Sequence, residues 1–130
     1  MPRIVTYCRF ATPMPPERIA GIERQLAALV ASLPEHALIG AFHDQGVSGL
    51  SLPDDRPGFQ ALLAVQAREP AEILLLPALH HLTRDREVLL VLLASLTTQG
   101  LTVRTSEDLV IWPAPTLCDL LSNPLLSLGA

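Results

Sequence analysis

Three arginines are the residues best suited to chemistry in this sequence, because each lies at or beyond the end of an apolar run that predicts a strand: Arg9, Arg56 and Arg84. A guanidinium group is a planar, permanently charged fork of N–H donors that matches the oxygens of a phosphate or a carboxylate. If the three side chains come together, they form a residual site for phosphate or another anion. The alternative is that they are ordinary exposed or ion-paired arginines.

Two candidate nucleophiles lie beside the first of these arginines. Thr12 offers a hydroxyl next to Ala11, a side chain with no reactive group. A nucleophile must be aligned with the bond that it attacks, and a shift of one residue is expected to misaim Thr12. Cys8 is the stronger nucleophile in principle, but it lies within an apolar stretch, which favours the role of a small core residue.

Histidines at positions 43, 80 and 81 raise the question of a metal site. His80 and His81 are adjacent on irregular backbone, and no cysteine or carboxylate accompanies them at the spacing of metal ligands. We therefore predict neither a metal nor a small-molecule cofactor, and we interpret these histidines as partly exposed polar residues.

Length and charge restrict the classes of function. The chain of 130 residues suits a single domain, and its net charge of −4, with arginine as the only basic side chain type besides histidine, argues against stand-alone binding of duplex DNA. DNA is expected to bind only weakly or through a partner. No apolar run approaches the ~20 residues of a membrane span, and no secretion signal is present. Cys8 and Cys118 form no disulfide framework, so we expect a cytoplasmic protein.

The hydrophobic pattern alternates strands and helices. Helical spacing predicts helices over 17–33 and from 59 to about 68, with a third that Thr83 or Asp85 begins and Gly100 ends. Apolar runs predict strands at 3–8, 37–43, 72–78 and 101–106. This order indicates an α/β fold with a mostly parallel sheet of four to five strands flanked by helices. The carboxyl ends of such strands share one edge, which places the loops after the first three strands, including a long loop at 44–58, on one rim.

In its order of short motifs, the sequence resembles the N-terminal catalytic domain of serine recombinases, the resolvase and invertase family. The matching pieces span about residues 3–108: YCRFAT, IERQL, FHDQGVSG, DRPGFQALL, ILLLPALHHLTRD and TTQGLTVRTSED. The resemblance implies a three-layer resolvase-like fold, a serine that attacks a DNA phosphodiester, and arginines that bind the phosphate. Tyr7, Arg9 and Thr12 match the first motif of the family, Arg56 matches the arginine after the long loop, and Arg84 matches the last arginine of the third motif.

Three positions depart from the family's pattern. Ala11 stands at the position of the serine nucleophile, and His80 and His81 replace an aspartate and an arginine. Alanine has no atom that can form an ester with phosphorus, and removal of charged donors weakens stabilisation of the pentacoordinate state. The resemblance thus implies a catalytically inactive domain, a pseudo-resolvase. The alternatives are an active recombinase that uses a substitute such as Thr12, and a decayed remnant of a mobile element.

The end of the chain also differs from the family, which continues into a long helix and a DNA-binding domain. We expect the resolvase-like fold to occupy residues 1–110, and 111–130 to form a proline-interrupted tail with at most a short helix near 116–122. This apolar tail, which contains Trp112, either covers the core or packs against a partner. A domain without a nucleophile is expected to act through a protein partner or through self-association.

Overall fold

Strands and helices alternate along the chain in the computed structural model, which describes residues 2–33 and 35–106. The elements are β1 (Arg3–Phe10), α1 (Pro16–Ser32), β2 (Ala37–Gln45), α2 (Pro57–Arg68), β3 (Ile73–Leu76), α3 (Arg86–Thr98) and β4 (Thr102–Thr105), with 3₁₀ turns at Pro53–Asp55 and Leu79–His81. The four strands are all parallel, in the order β2-β1-β3-β4. The predicted α/β fold with a parallel sheet is confirmed. No helix of the described ranges is long and apolar enough to cross a bilayer.

Apolar side chains on opposite faces of the sheet make two separate cores. On one face, Leu26 and Val30 of α1 pack with Ile4, Ile73 and Leu75 of the strands. On the other face, α2 and α3 cover the alternate strand residues, and this larger cluster includes Val5, Tyr7, Phe59, Leu62, Leu74, Leu76, Leu89, Leu92, Leu96 and Val103. Successive residues of β3 therefore point to different cores and all four are buried, as expected of a strand between two layers of helices.

Local sequence signals set the ends of the helices. Pro16 is the first residue of α1, where the missing N–H of proline costs little. The side chain of Asp85 caps α3, because its carboxylate accepts a hydrogen bond of 2.9 Å from the backbone N–H of Val88. Gly100 follows α3 with a φ of +81°, the left-handed conformation that glycine adopts without strain. Pro34, two residues after the last residue of α1, lies outside the described residues.

The first two strands are longer than predicted. β1 continues to Phe10 and β2 to Gln45, because Arg9 pairs with Asp44 and Phe10 with Gln45 in the parallel ladder. The long loop accordingly covers 46–56 rather than 44–58, and includes the 3₁₀ turn. The predicted tail at 111–130, the short helix within it and Cys118 lie outside the described residues.

Candidate functional site

A cavity of about 430 Å³ lies where the chain leaves β1 and enters α3. Its lining comes from the end of β1 and the residues that follow it, the 46–56 loop and the segment before α3: Arg9, Ala11, Gly49, Leu50, Thr83, Arg84 and Asp85. Of the candidate residues from the sequence, Arg9, Ala11 and Arg84 meet in this cavity. Thr12, Arg56, His80 and His81 do not line it.

The guanidinium of Arg9 is held by backbone carbonyls. Its Nη1 donates to the carbonyl of Val47 at 3.1 Å, and its Nη2 donates to the carbonyl of His80 at 3.0 Å. Its Nε is buried and has no hydrogen-bond partner within the described residues. Burial lowers the pKa of Arg9, and the positive charges of Arg56 and Arg84 lower it further. The Arg9 guanidinium thus lines the cavity with two of its nitrogens bonded to carbonyls and its Nε without a partner in the described residues.

Arg56 lies beneath the long loop and is completely buried. Its Nε donates to the carbonyl of Ser51 at 3.0 Å and its Nη2 to the carbonyl of Gly49 at 3.2 Å. Its Nη1 is unpaired among the described residues. Arg56 therefore ties the loop together through the carbonyls of Gly49 and Ser51. It does not line the cavity, but its positive charge lowers the pKa of Arg9.

Arg84 is the exposed cation of the three. Within residues 2–33 and 35–106, no carboxylate forms an ion pair with Arg9, Arg56 or Arg84. Asp85 also lines the cavity, but its carboxylate caps α3. Among the described residues the three arginines are thus neither all exposed nor ion-paired: Arg56 is buried and Arg9 half-buried against backbone carbonyls, and Arg84 is exposed.

Asp44 organises the start of α2, a role that the sequence analysis did not assign. Its buried carboxylate accepts hydrogen bonds from the hydroxyl of Tyr7 at 2.7 Å, the N–H of Gly58 at 2.6 Å and the N–H of Phe59 at 3.1 Å. A carboxylate at a helix N-terminus satisfies N–H groups that have no partner within the helix. These bonds join the end of β2 to the first turn of α2, which begins directly after Arg56. Two features of the sequence could have indicated this role: Asp44 lies near the end of a predicted strand, and Pro57-Gly58 is typical of the start of a helix.

His81 does not act as a charged replacement for an arginine. The Nδ1 of His81 accepts a hydrogen bond of 3.1 Å from the backbone N–H of Arg9, and burial, followed by His80 and Arg9, lowers the pKa of His81 to about 4. The rings of His80 and His81 lie 4.8 Å apart. His43 lies elsewhere, with its Nδ1 at 3.4 Å from a carboxylate oxygen of Glu23. No group of three potential metal ligands occurs in the part of the chain that the structure describes.

The hydroxyl and thiol groups near the cavity differ in how free they are to react. Thr12 is exposed but does not line the cavity. Cys8 is buried, and burial raises the pKa of its thiol to about 12, which disfavours the reactive thiolate. Burial also raises the pKa of Tyr7, whose hydroxyl donates to Asp44.

Thr83, which the sequence predicts only as a possible cap of the third helix, also supplies a hydroxyl to the cavity wall. It is fully buried, and its Oγ1 donates to the carbonyl of Gly49 at 2.5 Å while accepting from the N–H of Asp85 at 3.0 Å. The proton and one lone pair of this hydroxyl are therefore already engaged.

Comparison with protein families finds one match that covers most of the chain. The model of the resolvase N-terminal domain matches residues 4–116. No curated protein matches the sequence significantly.

Solved structures of recombinases share the fold. The N-terminal catalytic domain of TP901-1 integrase has a TM-score of 0.66 at 18% identity, covering 96% of this chain and 91% of that chain. The C-terminal catalytic domain of ISC1926 TnpA, an IS607-like serine recombinase, has a TM-score of 0.64 at 18% identity and covers 92% of this chain and 75% of that chain. A resolvase family site-specific recombinase from Streptococcus pneumoniae has a TM-score of 0.65 at 17% identity, with 91% and 80% covered.

Proposed function

The chain belongs to the resolvase N-terminal domain family, and we propose that it is a catalytically inactive member that acts through protein contacts. In this proposal it is a cytoplasmic regulatory or accessory factor for recombination or for another DNA-bound complex. Arg9 and Arg84 retain the capacity to bind an anion, with Arg56 adding positive charge from below.

The observation that carries the proposal is that Ala11 lines the same cavity as Arg9 and Arg84. Transfer of a DNA strand through a covalent intermediate needs an activated oxygen or sulfur aligned with phosphorus. The side chain of Ala11 has no such atom, and the hydroxyl of Thr83 in the same cavity already donates its proton to Gly49. The arrangement supports binding of an anion better than attack on one.

Surface composition supports protein contacts as the mode of action. Leu50 and Leu52 on the long loop are 66% and 48% exposed, and Leu50 borders the cavity. Contiguous exposed apolar surface marks a contact site, and these two leucines are the exposed large apolar side chains of the long loop. The net charge of −4 opposes tight independent binding to a polyanion. The exposed leucines and the negative net charge both favour contact with a protein partner or with a second copy of the chain over contact with DNA.

Incubation with supercoiled plasmid, followed by denaturation to trap covalent adducts, tests the inactive state. An active serine recombinase with its own target plasmid serves as the positive control. We expect neither nicked plasmid nor a protein–DNA adduct from this chain. An adduct would overturn the proposal, and loss of that adduct in T12V would assign it to the exposed hydroxyl of Thr12.

Mass determination in solution tests whether the chain acts through protein contacts. Light scattering of the purified protein, together with capture of partners from a lysate of the source cells, distinguishes self-association from a heterologous complex. The matched variant is L50S with L52S, which removes the exposed leucines without touching the buried core. We expect this double variant to lose the complex. An unchanged complex in the double variant would place the contact elsewhere. A wild-type protein that is a monomer and captures nothing would contradict action through protein contacts.

A further inference from the structure

We infer that Thr83 is a positioning residue for the anion site, because its hydroxyl joins the long loop to the start of α3 and so sets where Arg9 and Arg84 face each other. This inference rests on the anion binding included in the proposed function. Thr83 lies between His81, where the sequence departs from the recombinase motif, and Arg84, which matches that motif.

The hydroxyl of Thr83 connects two segments that are far apart in sequence. Its oxygen accepts from the backbone N–H of Asp85, two residues ahead, at 3.0 Å. Its proton goes to the carbonyl of Gly49 in the long loop, at 2.5 Å. A threonine that bonds two residues ahead restricts the intervening backbone, as in a turn of the Ser/Thr type. The intervening residue is Arg84, so one hydroxyl fixes the backbone from which this exposed guanidinium extends.

Gly49 carries the effect of Thr83 to the other two arginines. Its carbonyl accepts from Nη2 of Arg56 as well as from Thr83. Its Cα packs against the guanidinium of Arg9, where a Cβ would lie 3.3 Å from Nη2 and 3.4 Å from Cζ. Release of Gly49 would therefore free the loop from the face of Arg9 as well as from Arg56.

Burial makes the hydroxyl, rather than the methyl group, the part of Thr83 that matters here. Thr83 has no exposed surface, so loss of its oxygen leaves the N–H of Asp85 without that partner and removes one of the two side-chain donors from the carbonyl of Gly49. Buried polar groups without partners destabilise the arrangement that buries them, and the structure relaxes towards water. Serine keeps the oxygen, whereas valine keeps the shape and loses it. The pair T83S and T83V therefore separates positioning from packing.

Titration with inorganic phosphate, followed by NMR through the Nε–H signals of the arginine side chains, measures the effect at the site. We expect phosphate to shift the signal of Arg84 in the wild-type protein, and T83V to raise the dissociation constant about fivefold, the effect of one hydrogen bond. T83S is expected to bind as the wild type does. The matched control is T97V, which removes the 2.7 Å bond from Thr97 to the carbonyl of Leu93 within α3, away from the cavity.

The outcomes separate the positioning role from the function on which it rests. Equal phosphate affinity in T83V and wild type would overturn the role of Thr83 and leave the anion site intact. Loss of affinity in T97V equal to that in T83V would also overturn it, because general loosening of α3 would then explain both. A wild-type protein in which phosphate does not shift the Arg84 signal would overturn the anion site together with this inference. Formation of a DNA adduct is a separate result and leaves the role of Thr83 unaffected.

Discussion

The Nδ1 atom of His81 accepts a hydrogen bond from the backbone N–H of Arg9, with 3.1 Å between the two nitrogens. An imidazole that accepts through Nδ1 carries its proton on Nε2 and is neutral. The resemblance to serine recombinases implies an arginine at this position, so a fixed positive charge is replaced by a neutral ring. The bond also ties the backbone of Arg9 to the turn before α3. His81 is thus part of the support of the site and supplies no charge to it.

Ala11→Ser alone should not restore cleavage of DNA. Ala11 is exposed, so serine fits there, but the new hydroxyl would face a site in which His80 and His81 have replaced an aspartate and an arginine. Loss of one charge-stabilising donor typically slows a reaction by about 10²–10³-fold. The measurement is plasmid nicking and adduct trapping with A11S, and the comparison is the triple variant A11S, H80D and H81R. Cleavage by the single variant would contradict this prediction.

Stability should fall as the pH is lowered from about 6.5 to about 4. The pKa of His81 is lowered from 6.5 to about 4, mainly by burial. The unfolded state therefore binds the proton more tightly than the folded state, and the stabilisation present above pH 6.5 is lost as the pH falls through this window. The full difference corresponds to about 3 kcal/mol, and solvent screening of this half-buried ring reduces it to about 2 kcal/mol. Urea unfolding at a series of pH values measures it.

His81→Asn is the variant that isolates this titration. The amide oxygen of asparagine can accept the bond from Arg9 in place of Nδ1, and the amide does not titrate. The difference in unfolding free energy between pH 6.5 and pH 4 should be smaller in H81N than in the wild type by about the same 2 kcal/mol. Parallel pH profiles for the two proteins would exclude His81 as the source.

The parts of the fold that short-range patterns encode were predictable. The apolar run of β3, the helical spacing of α1 and the cap at Asp85 are local signals, and each element occurs where its signal lies. The strand ends were not predictable, because β2 continues to Gln45 only through pairing with β1. A ladder between distant segments has no local signature in the residues that it extends.

The site was predictable in its location and less so in its contacts. Topology places Arg9 and Arg84 on one rim, and the cavity contains both. The burial of Arg56 against loop carbonyls and the bridging role of Thr83 depend on the path of the long loop. That path is set by backbone groups, which are the same for every residue type, so the sequence carries no direct signal for it.

Gly58→Ala should be strongly destabilising. A Cβ at this position would lie 2.0 Å from the carbonyl oxygen of His43 and 3.1 Å from Cγ of Asp44. The obstacle is backbone of the neighbouring strand, so relief requires α2 to move away from β2. Overpacking of this kind costs about 1–3 kcal/mol or more. Urea unfolding should show a clearly lower midpoint than that of the wild type.

Gly21→Ala is the matched control for Gly58. Gly21 lies within α1, and a Cβ there meets only the end of the flexible Arg24 side chain at 3.8 Å. Alanine in a helix interior is about 0.5–1 kcal/mol more favourable than glycine, so G21A should be stabilised. If G58A were as stable as G21A, this result would contradict the close approach of Gly58 in α2 to the backbone of His43 in β2.

Asp44→Asn should destabilise the protein more than Tyr7→Phe. The carboxylate of Asp44 accepts from the hydroxyl of Tyr7 and from two backbone N–H groups at the start of α2. Asparagine would turn an NH₂ group towards at least one of these donors, whereas phenylalanine at position 7 removes one bond and leaves both backbone donors satisfied. A buried hydrogen bond to a charged group is worth about 1.5–3 kcal/mol, so we expect a loss near 3 kcal/mol for D44N and about half as much for Y7F. Urea unfolding of the two variants at neutral pH provides the comparison. Equal losses, or a greater loss in Y7F, would show that Asp44 does not hold the start of α2.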